Sequence, residues 1–151
     1  TVSQKNLDLA MSILPPPNQG MVLAERANTV AATDPAKAAD LYRQSLKLAP
    51  DLENAMLALA KILVLAPQAN VRNGAEALDL LNKQAQETHQ QSIENIQLMA
   101  CASAEVGKFD DAVYYAKMAL MLMEDAKDTT DADEWRPKID LFQNHQIYHL
   151  P

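Results

Sequence analysis

Along this chain, stretches in which apolar residues recur every three to four positions alternate with short breaks rich in proline, glycine, asparagine and aspartate. A period near 3.6 predicts amphipathic helices, and the breaks predict where they end. Eight helices are expected, over residues 3–14, 18–32, 36–49, 52–65, 75–88, 92–106, 109–126 and 133–148. Because most connections are short, consecutive helices are expected to pair as antiparallel hairpins.

Individual residues at the breaks support these boundaries. Asp34 followed by Pro35 suits a helix cap and a first helical turn. Ser92 and Asn95 have the spacing of a capped helix start, and Gly107 is placed as a C-terminal cap. Aromatic residues are only 5% of the chain, whereas the helix formers leucine and alanine recur throughout. The sequence therefore predicts an all-α fold, and 151 residues are expected to form a single domain, 1–151.

The hairpins also repeat. The third reads Ile96-x-x-Met99-Ala100, then Gly107-x-Phe109, Ala112, Ala116 and Ala119-Leu120. The second matches it with Met56, Leu59-Ala60, Leu63, Ala77 and Leu81, and the first with Ala38, Tyr42, Ser45-Leu46 and Pro50. Ala77 and Ala112 are 35 positions apart, as are Pro15 and Pro50. Small residues at such positions let two helices cross closely, while the larger ones fill the space between neighbouring hairpins.

This pattern resembles the tetratricopeptide repeat (TPR) family, whose period is about 34 residues. The resemblance covers roughly residues 18–125 and implies a right-handed superhelical solenoid of about three repeats, at 18–50, 51–89 and 90–126. Residues 1–17 align as an N-terminal helix or half-repeat. Residues 131–149 are expected to form a capping helix, with Trp135, Ile139 and Phe142 on one face. A partner-binding aromatic stripe is the alternative interpretation of that face. The lengthened turn in the second repeat is similar to a variant of bacterial TPR proteins.

TPR proteins usually hold a partner in a concave groove lined by the first helix of each hairpin. By alignment, the resemblance places eight residues there: Asn54, Leu57, Lys61, Glu94, Gln97, Leu98, Cys101 and Glu105. Leu57 and Glu94 stand where the carboxylate-binding TPR subfamily needs polar or basic groups. The implied guests are therefore neutral, apolar or basic protein segments. For Cys101, a small core thiol is an equally good interpretation.

A second apolar stripe on the helix at 109–126 carries Tyr114, Met118 and Met121. Two interpretations stay open for it. In the first, the capping helix covers the stripe. In the second, the stripe is a surface for a partner or for self-association, a use to which adaptable methionine side chains are suited.

Charge and hydropathy exclude several classes of partner. The net charge is −7: residues 1–90 carry nine acids and eight bases, and residues 91–151 carry eleven acids and five bases. Without a basic stripe to neutralise phosphates, no nucleic-acid binding is expected. No apolar run approaches the roughly 20 residues that span a bilayer, so no membrane insertion is expected. The single cysteine excludes an internal disulfide, which is compatible with a cytoplasmic or a periplasmic protein.

No constellation of catalytic residues, metal ligands or cofactor-binding residues emerges from the sequence. His145 and His149 have helical i, i+4 spacing, but a metal site needs at least one more ligand. The acidic residues at 124–134 are interpreted as a linker. The sequence therefore favours a protein–protein interaction scaffold rather than an enzyme. The alternatives are a structural or regulatory TPR domain of a larger, exported enzyme or cytochrome assembly, or a self-association module.

Overall fold

A computed structural model describes residues 2–88 and 91–151, apart from the side chains of residues 2–4, 7 and 88. These two ranges form eight α-helices and no strand, which confirms the predicted all-α fold. The helices are α1 (Val2–Ser12), α2 (Pro16–Val30), α3 (Pro35–Leu48), α4 (Glu53–Leu65), α5 (Gly74–Thr88), α6 (Ile93–Glu105), α7 (Phe109–Asp125) and α8 (Thr129–Gln143). Among the described residues, no helix has the length and apolar character required to cross a membrane.

The largest departure from the predicted boundaries is at α8. It begins at Thr129, four residues before the predicted start, because the Asp128 side chain accepts a hydrogen bond from the Asp131 amide at 3.2 Å. Asp128 is thus a helix cap. The acidic residues after it lie near the N-terminus of α8, where their negative charges interact favourably with the positive end of the helix dipole. The interpretation of this acidic stretch as a linker is wrong.

The C-terminal ends of α6, α7 and α8 share one geometry. Each is followed by a residue in the left-handed region: Gly107 at φ 79°, Lys127 at φ 59° and His145 at φ 57°. After α8, the Gln146 amide then donates to the Leu141 carbonyl at 2.9 Å, the Schellman pattern that closes a helix end. Of these three residues, only Gly107 is of the type that predicts a left-handed helix end from the sequence. For that reason the predicted last helix continued to residue 148, whereas α8 ends at Gln143.

The chain divides into two compact units, residues 1–59 and 60–151. In the first, α2 packs against α3, and α1 contacts α2. In the second, α5 packs against α6, α6 against α7, and α7 against α8. Trp135, Ile139 and Phe142 are all buried, so the predicted apolar face of α8 is confirmed. The solenoid arrangement stays a prediction.

Gly20 is the point of closest approach between α2 and α3. The Ser45 hydroxyl, itself fully buried, donates a hydrogen bond to the Gly20 carbonyl at 2.7 Å. A Cβ added at Gly20 would lie 2.7 Å from the Cβ of Ala49 and 2.9 Å from the Ser45 carbonyl oxygen. Both neighbours belong to α3 or its cap and cannot move aside without displacing backbone, so only glycine fits.

We expect Gly20→Ala to destabilise the protein by about 1–2 kcal/mol, although alanine is the better helix former. Overpacking costs about 1–3 kcal/mol, and the gain in helix propensity of about 1 kcal/mol offsets only part of it. Urea unfolding followed by circular dichroism measures the change. Asn18→Ala, at an exposed position of the same helix, is the matched control and should be neutral or stabilising. A Gly20→Ala protein as stable as the control would show that the two helices are not in close contact.

Candidate peptide-binding cleft

A cleft of about 190 Å³ opens within the second unit, between α4, α6 and α8. It is lined by Lys61, Leu65, Glu94, Gln97, Leu98, Cys101, Trp135 and Lys138. Helical periodicity explains this set, because residues three or four apart share one face of a helix. Positions 94, 97, 98 and 101 form such a face on α6, positions 61 and 65 on α4, and positions 135 and 138 on α8.

Charged groups stand at the rim of this cleft and are already partnered. Lys61 Nζ lies 2.8 Å from Glu94 Oε1, joining α4 to α6. Both side chains are about half exposed, so this ion pair adds little stability. The Lys138 ammonium lies 4.8 Å from the centre of the Trp135 ring, within cation–π range. The lining thus carries two lysines and one glutamate, and the acidic surplus of the last third of the chain lies elsewhere.

Cys101 lines the cleft, and only 2% of its surface is exposed to solvent. Both interpretations left open for this residue apply, since it lines the cleft and is also a core residue. Burial raises the pKa of the thiol to about 12, while the positive charge of Lys138 acts in the opposite direction. The thiol is therefore protonated at neutral pH and is not an activated nucleophile.

Five of the eight predicted groove residues line this cleft, and Asn54, Leu57 and Glu105 do not. Asn54 lines a separate cleft of about 160 Å³ within the first unit. The other residues around that cleft are Met21, Ala24, Glu25, Asn28, Tyr42, Leu52 and Ala55. There the Tyr42 hydroxyl donates to Asn28 Oδ1. Burial, helped by the charge of Glu25, raises the pKa of Tyr42. Leu57 is half-buried and lines neither cleft.

Glu105 instead holds the lengthened turn between α4 and α5. Its Oε1 lies 3.2 Å from Arg72 Nε, and both side chains are largely buried, at 16% and 12% exposure. Arg72 Nη1 also donates to the carbonyls of Ala66 and Pro67, at 3.0 and 3.1 Å. The Arg72 guanidinium thus links the beginning of the turn, at Ala66 and Pro67, to Glu105 at the end of α6. The sequence showed the extra length of the turn but not that Glu105 would be used to hold it.

The stripe on α7 is only partly covered. Tyr114 and Met121 remain 64% and 55% exposed, and Met118 is half-buried. α8 packs on α7 through Trp135, whose indole N–H donates to the Ala116 carbonyl at 2.9 Å. The capping helix therefore leaves Tyr114 and Met121 uncovered. A role for this stripe in self-association stays a prediction.

Sequence reasoning missed the contribution of α8 to the cleft. Trp135 was expected to anchor the cap or to belong to a partner-binding aromatic stripe, and Lys138 had no expected role, yet both line the cleft. Their i, i+3 spacing was the available signal. The histidine pair was misplaced as well, because His145 and His149 follow the end of α8 and share no helix face. Within residues 2–88 and 91–151, no group of three or more histidine, cysteine, aspartate or glutamate residues is arranged to hold a metal ion.

The comparisons with known proteins add no relative. No protein-family model matches the chain, and neither a curated protein nor a solved structure matches it.

Proposed function

We propose that this protein is a TPR-type interaction module that binds a segment of another protein in the cleft between α4, α6 and α8, without a catalytic role. The observation that supports this most directly is the meeting of Lys61, Glu94, Gln97, Leu98 and Cys101 in one cleft. These residues were selected from the TPR pattern alone, and they come from helices more than 25 positions apart in the chain.

The chemistry of the lining favours a neutral or apolar guest. Leu65, Leu98 and the Trp135 ring supply apolar surface, and Gln97 supplies an amide that both donates and accepts hydrogen bonds. Since Lys61 and Glu94 pair with each other, the net charge of the lining is the positive charge of Lys138. A basic segment, one of the guests expected from the sequence, is disfavoured by this charge. The proposed guest is therefore a neutral or apolar protein segment.

Selection of a random peptide library displayed on phage, with the immobilised chain as target, tests this proposal. We expect enriched peptides to bind the wild type and to bind Gln97→Arg at least about 10-fold more weakly, a loss of about 1.4 kcal/mol. The reason is that an arginine side chain at this half-buried position fills the cleft and removes the amide. Fluorescence anisotropy with the enriched peptides measures the affinities.

The matched control is Gln86→Arg, which makes the same substitution at an exposed position of α5. It should change the affinities less than twofold. Absence of any enriched peptide, or equal binding to the Gln97→Arg and Gln86→Arg proteins, would contradict the proposal.

A further inference from the structure

Residues 144–151, which follow α8, fold back over the second unit. The reversal begins at His145, whose left-handed backbone turns the chain at the end of α8. The imidazole of His145 stacks on the Phe109 ring, with centroids 4.8 Å apart and planes at 11°. This contact fixes the turn against the first residue of α7.

Beyond the turn, the segment reaches two residues that line the cleft. The Tyr148 ring lies 4.7 Å from the Lys138 ammonium, so Lys138 is in cation–π range of both Tyr148 and Trp135. Two positions later, the Leu150 N–H donates to the Leu65 carbonyl at 2.9 Å. Lys138 belongs to α8 and Leu65 ends α4, so residues 148–150 join these two helices beside the cleft. Residues 144–151 are not themselves among the residues that line it.

The Leu65 acceptor is available because it lies at the end of a helix. The last four carbonyls of an α-helix have no donor within the helix and must find one elsewhere. At this end of α4 the Leu63 carbonyl accepts from the Asn73 amide at 2.8 Å, and the Leu65 carbonyl accepts from Leu150. The first donor is part of the turn that continues the helix. The second comes from a segment far along the chain.

We propose that residues 144–151 are a displaceable strap at the edge of the cleft, and that the partner is an extended protein segment that displaces the strap by making the same two contacts. This inference rests on the proposed function and specifies its guest. The partner carries an aromatic ring for Lys138 and, two positions later, a free backbone N–H for the Leu65 carbonyl. A helical guest does not meet this requirement, since its backbone N–H groups are used within the helix apart from its first turn.

The test is an NMR titration of the ¹⁵N-labelled full chain with a synthetic peptide of the strap sequence, Asn-His-Gln-Ile-Tyr-His-Leu-Pro. A tethered segment competes at an effective concentration near the millimolar range, so the peptide is added to several millimolar. The variants are Tyr148→Ala, which removes the ring, and Leu150→Pro, which removes the N–H. Ile147→Ala is the control, because Ile147 lies in the same strap and is exposed.

We expect the peptide to shift the Gln97 and Lys138 amide signals and, in the wild type, to release the Leu150 amide. Half-saturation in the Tyr148→Ala and Leu150→Pro proteins should occur at roughly 3- to 10-fold lower peptide concentration than in the wild type or Ile147→Ala, because a weakened strap leaves Lys138 and the Leu65 carbonyl available to the peptide in a larger fraction of the molecules. A peptide with alanine for tyrosine, or with N-methylleucine for leucine, should bind more weakly to all four proteins.

Peptide concentrations at half-saturation that agree within twofold across the four proteins would overturn the strap proposal. An absence of shifts at the Gln97 and Lys138 amide signals would overturn it as well. The proposed function is judged separately. Displayed peptides that lose affinity for Gln97→Arg would still support binding in the cleft, and the failure would then concern only the strap and the extended form of its guest.

Discussion

Replacing Trp135 by alanine is expected to lower the free energy of unfolding by about 3–5 kcal/mol, the range for removing a buried aromatic side chain. Trp135 is only 4% exposed, packs between α8 and α7, and donates its indole N–H to the Ala116 carbonyl at 2.9 Å. Truncation therefore leaves a cavity and removes a buried hydrogen bond at the same contact. Urea unfolding followed by circular dichroism is the appropriate measurement, because Trp135 is the only tryptophan.

Two control variants separate these contributions. Trp135→Phe keeps most of the ring packing but lacks the indole donor, and we expect it to cost about 1–2 kcal/mol. Tyr114→Ala removes an aromatic side chain that is 64% exposed on α7, and it should change the stability by less than about 0.5 kcal/mol. If Trp135→Ala and Tyr114→Ala were equally mild, α8 would not be anchored by its tryptophan.

Cys101 is expected to react with iodoacetamide at pH 8 at least about 30-fold more slowly in the folded protein than in the chain unfolded in urea. Burial raises its pKa from 9.0 to about 12, which lowers the thiolate population about 1000-fold at this pH. The greater nucleophilicity of a more basic thiolate restores somewhat more than one order of magnitude. Measured by mass spectrometry, the folded-state rate should still rise about tenfold per pH unit between pH 9 and 10, whereas the unfolded-state rate levels off. A common plateau near pH 9 would contradict the buried placement.

The same pKa shift has a consequence for stability. Between pH 9 and pH 12 the unfolded chain has lost the Cys101 proton while the folded chain retains it, so stability falls as the pH rises. The loss attributable to this thiol is about 1 kcal/mol at pH 10 and negligible below pH 8. Cys101→Ala lacks the group, so its stability should decline less steeply over the same range. Equal slopes for the two proteins would show that the thiol titrates normally.

Local chemistry determined most of the helix positions. The Asp34 and Ser92 side chains accept hydrogen bonds from the amides of Lys37 and Asn95, which confirms the helix caps predicted at both residues. The predicted helix ends were wrong where residues other than glycine adopt the left-handed backbone conformation that ends a helix. Lys127 and His145 adopt the left-handed geometry that usually identifies glycine, so nothing in the sequence marked the end of α8. The three consecutive prolines at 15–17 also made the start of α2 at Pro16 ambiguous in the sequence, because proline can either end a helix or occupy its first turn.

Four of the residues that the TPR resemblance placed in a groove, Glu94, Gln97, Leu98 and Cys101, line the cleft together because they share one face of α6. Their role in binding a partner stays a prediction. The expected position was wrong where a side chain had a choice of partners. Glu105 was expected in the groove, but it pairs with Arg72 from a turn whose path depends on hydrogen bonds to backbone carbonyls. No local pattern specifies such a pairing between residues more than 30 positions apart.

The sequence was sufficient to establish the all-α class, the approximate positions of α1 to α8 and the apolar face of α8, because these depend on spacing and on propensities that act within a few residues. The roles of Trp135 and Lys138 in the cleft, the pairing of Glu105 and the return of residues 144–151 to Leu65 depended on tertiary structure. Each is a contact between segments distant in the chain. Such contacts are decided by which polar groups remain unsatisfied and which surfaces remain uncovered once the helices have packed.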